Sequence, residues 1–188
     1  MSQSSSTPTL PQRFFGGEAS SIGSVTRLAP TSWAQFVKET LGHPAILNVT
    51  RDQFRALPPK ARNAAKRVRY VTPATFTKPQ RITENAHDIA LLALDIDDPE
   101  QARPFVKQPS LLREALSPLA FAAYTTASST PEAPKLRILV PASHFAVKLY
   151  PAAVRTLAAM LGLPNVTKES LVPVQPMYLP TLFRGDDL

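Results

Sequence analysis

The stretch LLALDIDDPE, Leu91–Glu100, constrains this chain more than any other, because it sets two carboxylates at an i, i+2 spacing on an apolar run of strand character. Side chains two apart on a strand share a face. Leu92, Leu94 and Ile96 therefore turn to a core, while Asp95 and Asp97 project together from the other side. Two like charges side by side on a central strand are unfavourable unless a cation or basic ligand sits between them. One reading is a divalent metal site, in which hard carboxylate oxygens hold Mg²⁺ or Mn²⁺ against substrate phosphates for phosphoryl or nucleotidyl transfer. The other is a strand running into a turn, with Asp98 capping a helix that Pro99 starts.

At 188 residues the chain suits one domain with a substantial core. The expected organisation is a flexible tail or an edge-hugging arm over 1–30, rich in Ser, Thr, Gly and Pro, followed by a single domain over 31–188. That domain has a basic half, 31–88, and a patterned half, 89–188. The net charge of +7 and the pI near 10.0 favour polyanionic partners, and the distribution sharpens this. From Arg51 to Arg81 there are nine basic residues and one acid, Asp52. A solvated helix face usually mixes signs, so a one-sign cluster with Tyr70 and Phe76 interleaved points to phosphate contact. Arg55, Lys60, Arg62, Lys66, Arg67 and Arg69 are the candidate DNA-binding residues. The absence of cysteine excludes disulfides and thiolate sites and is compatible with a reducing cytoplasm. No apolar run approaches the roughly 20 residues of a membrane span, and no signal-peptide pattern opens the chain. The expected class is a cytoplasmic nucleic-acid protein without a membrane partner.

Periodicity and punctuation supply the elements. TSWAQFVKETLG reads as a helix, with Ser32 and Gln35 at capping-box spacing, Trp33, Phe36, Val37 and Leu41 on one apolar stripe, and Gly42 at the end. Trp33 reads as core rather than as a base-stacking platform. A short strand is expected at Ala45–Val49, then a basic helix pair over Asp52–Arg69 broken at Pro58 and Pro59. From Ile89 on the pattern predicts strand 89–97, helix 110–116, strand 119–126, strand 136–141, helix 151–161 and strand 176–179. This is the β-α-β-β-α-β order of a split βαβ, or ferredoxin-like, unit, an α+β fold. In that topology the first and third strands are central neighbours, so Arg137 is expected on an open face beside Asp95 and Asp97. Such a constellation suits a triphosphate; the plainer alternative is an Arg–Asp structural bridge.

Three ordered pieces, LALDIDD, YTTASSTPEAPKLRILVP and KESLVPVQPMYLP, resemble the archaeo-eukaryotic primase superfamily over about Ile89–Pro180. The likeness is greatest to the primase-polymerase-like N-terminal domains of phage and plasmid replication proteins. The resemblance implies a modified RRM-like core with an N-terminal α/β extension, and metal ligation by Asp95 and Asp97. It implies nucleotide phosphates at Thr126, Ser128, Lys135 and Arg137. The implied activity is joining of nucleoside triphosphates on a single-stranded DNA template with Mg²⁺ or Mn²⁺, in a bacterial host cytoplasm, with a replicative helicase as a further partner. The chain departs from the pattern in two places. Ala127 and Ser129 stand where a motif histidine is usual, and Thr167, Lys168 and Glu169 stand where another aspartate is usual. Glu169 is the candidate replacement by its longer reach, and Gln175 stands where relatives often carry arginine. His43, His87 and His144 lie outside the motif. A catalytically degenerate domain that binds DNA or nucleotide for replication initiation or regulation is the alternative to an enzyme.

Overall fold

The computed structural model describes residues 12–18, 23–65 and 68–186. The chain runs through β1 (Phe15–Glu18), β2 (Thr26–Arg27) and α1 (Trp33–Gln35), which continues as a π-helical stretch over Phe36–Leu41. There follow β3 (Ala45–Leu47), α2 (Arg51–Ala56), α3 (Pro59–Ala65), β4 (Arg69–Thr72), β5 (Ala74–Phe76) and β6 (Ala86–Ile96). Next come α4 (Pro99–Lys107), α5 (Ser110–Leu116), β7 (Ala122–Thr125) and β8 (Leu136–Phe145). The chain closes with α6 (Tyr150–Met160), β9 (Met177–Tyr178) and β10 (Thr181–Phe183). The class is mixed α+β, with two antiparallel four-stranded sheets in the orders β5-β6-β8-β7 and β2-β1-β4-β9, and a parallel pair β10-β3.

The long strands β6 and β8 are central neighbours, as the motif order predicts, and their register sets Asp95 opposite Arg137. One face of this sheet carries Leu94, Ile96, Ile138 and Val140 against Leu112 and Leu116 of α5 and Val154 and Leu157 of α6. The expected open face is instead covered. Leu91, Ala93 and Leu139 pack there with Phe14, Phe36, Val71, Met177 and Leu179 in a second core. A strand buried on both faces needs a near-continuous apolar sequence rather than an alternating one, and Leu91–Leu94 has that character.

The pairing of the last predicted strand is corrected. The predicted strand 176–179 forms as β9 but pairs with β4, leaving the edge beside β6 to β5 from the upstream half. Three strands of the sheet thus lie in the expected order, β6-β8-β7, and β5 takes the fourth position. Within the expected tail, Phe14 is buried, β1 lies between β2 and β4, and Val25 joins the first core. Gly16 permits this pairing, since a Cβ there would lie 2.2 Å from the Tyr70 carbonyl oxygen.

The basic helix pair forms where proline punctuation places it. Thr50 and Gln53 make a reciprocal capping box, with bonds of 2.9 and 3.2 Å, that starts α2. Leu57 turns extended ahead of Pro58, and Pro59 opens α3. Arg69, expected at the helix end, is the first residue of β4. In α1, Ser32 accepts from the Gln35 amide at 3.2 Å, while the Gln35 side chain reaches Thr31 rather than Ser32. Trp33 stacks on Phe36 with ring centroids 5.5 Å apart, at the margin of the second core. Asp98 caps α4, accepting from the Glu100 amide at 2.9 Å, with Pro99 in the first turn. No helix among the described residues is long and apolar enough to cross a membrane.

Candidate functional site

The β6–β8 register fixes the central contact. Arg137 donates from Nε and Nη2 to the two Asp95 oxygens at 2.5 and 2.8 Å, a bidentate pair with side chains only 10% and 11% exposed. Its Nη1 donates to the Tyr178 carbonyl at 2.7 Å, and the Tyr124 hydroxyl donates to the same oxygen at 2.9 Å. Arg137 thereby ties the central sheet to β9 of the other sheet. Burial disfavours the guanidinium charge, but Tyr124 and the Asp95 carboxylate outweigh it and hold the Arg137 pKa above its ordinary value. Burial also pushes the Tyr124 hydroxyl up, keeping it a donor. Behind Asp95, its amide donates to the Oγ of fully buried Ser170 at 2.9 Å, and Thr167 holds that hydroxyl at 2.8 Å.

Asp97, two residues on and half exposed, pairs with Lys135 Nζ at 3.1 Å. Lys135 ends a turn stiffened by its own hydroxyls. The Lys135 amide donates to Ser129 Oγ at 2.9 Å, the Ala133 amide to Thr130 Oγ1 at 3.0 Å, and the Thr126 amide to the Lys135 carbonyl at 3.2 Å.

These elements enclose a cleft of about 380 Å³. It brings together the carboxylates of Asp95 in β6 and Asp97 just past its end, then Thr126, Ser128, Lys135 and Arg137 of the turn and β8, and Glu169 and Gln175 of the C-terminal segment. Every candidate catalytic and nucleotide-binding residue thus lines one cavity. Tyr178, Leu179 and Thr181 complete its wall.

A second depression of about 300 Å³ adjoins the cleft and shares Ala127, Ser128 and Lys135 with it. Arg55 and Arg62, two of the candidate DNA-binding residues, line it together with Arg51. Lys60 is exposed on α3. Arg69 lies apart, donating to the His43 carbonyl and lining a different depression with Glu18 and Glu39. Lys66 and Arg67 fall outside the described residues.

A divalent ion does not fit the donor set as arranged. Both Asp95 oxygens are taken by Arg137, and Asp97 is paired with Lys135. Among the described residues no group of three or more His, Asp or Glu is placed to hold a metal. The pair takes the form of the Arg–Asp bridge that was the plainer alternative. Among the described residues no histidine lines the cleft. His87 and His144 meet instead at Asp88, near the start of β6, with Nδ1 atoms 3.2 and 3.1 Å from its carboxylate.

Three contributors escaped the sequence reading. Tyr124 becomes visible only when the β7–β8 register sets it opposite Arg137. Tyr178 acts through its carbonyl, which no side-chain pattern marks. Arg51 lay within the basic run, but its place at the start of α2 depends on the Thr50 cap.

No curated protein and no solved structure matches the chain. The model of the VapE N-terminal domain matches residues 24–187, a span that holds both the cleft and the basic depression. The chain belongs to the VapE N-terminal domain family, the N-terminal domains of phage and plasmid VapE-like replication proteins.

Proposed function

We propose that this domain binds a nucleotide and a single-stranded DNA template as a primase-polymerase-like module of a phage or mobile-element replication protein, joining nucleotides along the template. The observation that carries this reading is convergence. Eight residues nominated from three separated stretches line one cleft, and a basic depression with Arg55 and Arg62 opens beside it. Lys135 and Ser128 stand on the shared rim, where a phosphate would meet a charge and a hydroxyl. The β6-β8-β7 order supports an RRM-like core for the module, with β5 in the fourth position. Lys60, Arg55 and Arg62, with Lys66 and Arg67, supply the backbone-binding surface, and a replicative helicase is the partner the resemblance implies.

One observation favours a second reading, a binding module without chemistry: Arg137 holds Asp95 bidentately and engages both of its oxygens. Nucleotide incorporation on a primed single strand, supplied with Mg²⁺ or Mn²⁺, separates the two. Template-dependent extension that is lost in Asp97→Ala supports the transfer reading. Binding of nucleotide and strand without extension favours the binding module, and absence of both bindings contradicts the proposal as a whole.

A further inference from the structure

The charges lining the two adjoining cavities differ in sign, and this decides where a polyphosphate can lie. The cleft carries three carboxylates, Asp95, Asp97 and Glu169, against two cations, Lys135 and Arg137. Each cation is already committed to one of those carboxylates. A triphosphate lying along the cleft floor would face net negative charge in a partly enclosed space, where like charges repel more strongly than in open water. The adjoining depression is lined by Arg51, Arg55 and Arg62, with Lys135, paired to Asp97, on the rim it shares with the cleft, and with no acid among its described lining residues. Arg51 is a positioned group: it bridges Asp186 at 2.9 Å and its guanidinium lies 4.5 Å from the Phe183 ring centroid. The counter-ion of Arg55, Asp52, stands 3.6 Å away and is almost wholly exposed, so it neutralises little.

From this disparity we infer that the depression framed by Arg51, Arg55, Arg62 and Lys135 is the polyphosphate subsite, taking the β and γ phosphates of a nucleoside triphosphate whose nucleoside end occupies the cleft. This rests on the nucleotide-binding reading above and reassigns two residues within it: Arg55 and Arg62 serve the nucleotide tail, and strand contact falls to Lys60, Lys66 and Arg67. The cleft suits the nucleoside end. Pro176, Tyr178 and Leu179 give it apolar wall, and Gln175 offers an amide donor and acceptor for a base edge. Closely spaced phosphates also occur along a nucleic-acid strand, so the test must tell the two sources apart.

The test uses the full chain and a ribose-labelled fluorescent ATP, with unlabelled ATP, AMP and a single-stranded oligonucleotide as competitors. Arg51→Ala is avoided because it also removes the contacts to Asp186 and Phe183; the variant is Arg55→Ala with Arg62→Ala, its fold checked by circular dichroism and thermal unfolding. In wild type, ATP is expected to compete at least about tenfold better than AMP, and the double variant is expected to lose most of that preference while AMP competition changes less than about threefold. Arg62→Lys, which keeps charge but loses the guanidinium fork, is expected to fall between. An unchanged ATP-to-AMP ratio overturns the subsite, and if oligonucleotide affinity falls at the same time, the arginines belong to the strand. A wild type that binds the oligonucleotide but no labelled ATP contradicts the nucleotide-binding reading itself. A wild type that binds ATP no better than AMP overturns only this inference.

Discussion

Arg137 and Asp95 face each other across the central strand pair and close a bidentate bridge from which water is nearly excluded. Removing one partner leaves an uncompensated buried charge. Asp95→Ala is therefore expected to lower unfolding stability by about 3–5 kcal/mol, measured by urea denaturation. Replacing both, Asp95→Leu with Arg137→Met, should recover much of that loss, because a packed apolar pair avoids the desolvation of two charges. Equal losses in the single and double variants would mean that losing the Arg137 bond to the Tyr178 carbonyl costs as much as removing the stranded charge returns.

The placement of Arg69 gives a prediction within the basic segment. It bonds the His43 carbonyl away from the depression that holds Arg55 and Arg62. The log–log slope of single-strand affinity against salt should therefore be the same in Arg69→Ala as in wild type. Lys60→Ala should flatten it by about 0.7, the contribution of one neutralised phosphate on a single strand. A flattened slope in Arg69→Ala would move the strand path across the molecule.

Packing on the second face of the central sheet yields a further test. Phe36 is fully buried between Phe14, at a centroid distance of 4.4 Å, and Trp33. Phe36→Ala should cost about 3–5 kcal/mol. A loss below about 1 kcal/mol would mean that the N-terminal segment is only loosely docked on the sheet.

Asp88 supplies the pH dependence. Burial alone would raise its carboxyl, but hydrogen bonds from Thr75 and His144, with His87 beside them, outweigh burial and hold the pKa below the usual carboxylate value. A depressed folded pKa means that the unfolded chain binds the proton first. The stabilisation is thus fully present above the unfolded value of about 3.9 and is lost as pH falls through the folded pKa. Urea midpoints should fall more steeply below about pH 4 in wild type than in Asp88→Asn. Parallel curves would exclude Asp88 as a contributor to acid unfolding.

Much of the site was legible because it rests on local spacing. Asp95 and Asp97 line one cleft, as the i, i+2 spacing suggests, and Arg137 meets Asp95 because an apolar–basic–apolar run places it between Leu136 and Ile138. The partner of each strand was less legible. β9 carries the expected residues but finds β4, because Val71 and Met177 bury each other in a core that only the folded N-terminal half creates. Phe14 was hidden for the same reason, its Ser- and Gly-rich surroundings masking one side chain that the second core needs. The competition between a cation-paired and a metal-paired Asp95 depends on rotamers and on a backbone carbonyl, Tyr178, that residue types do not encode.

The central claim is that the cleft and its basic neighbour together receive a nucleotide, and titration of ¹⁵N-labelled protein with ATP, followed by backbone amide shifts, tests it most directly. The predicted result is a saturable set of shifts concentrated at Thr126–Lys135, Gln175–Tyr178 and the α2–α3 segment, with the Asp88–His144 corner unmoved. Absence of saturable shifts, or shifts centred on that corner, would contradict it.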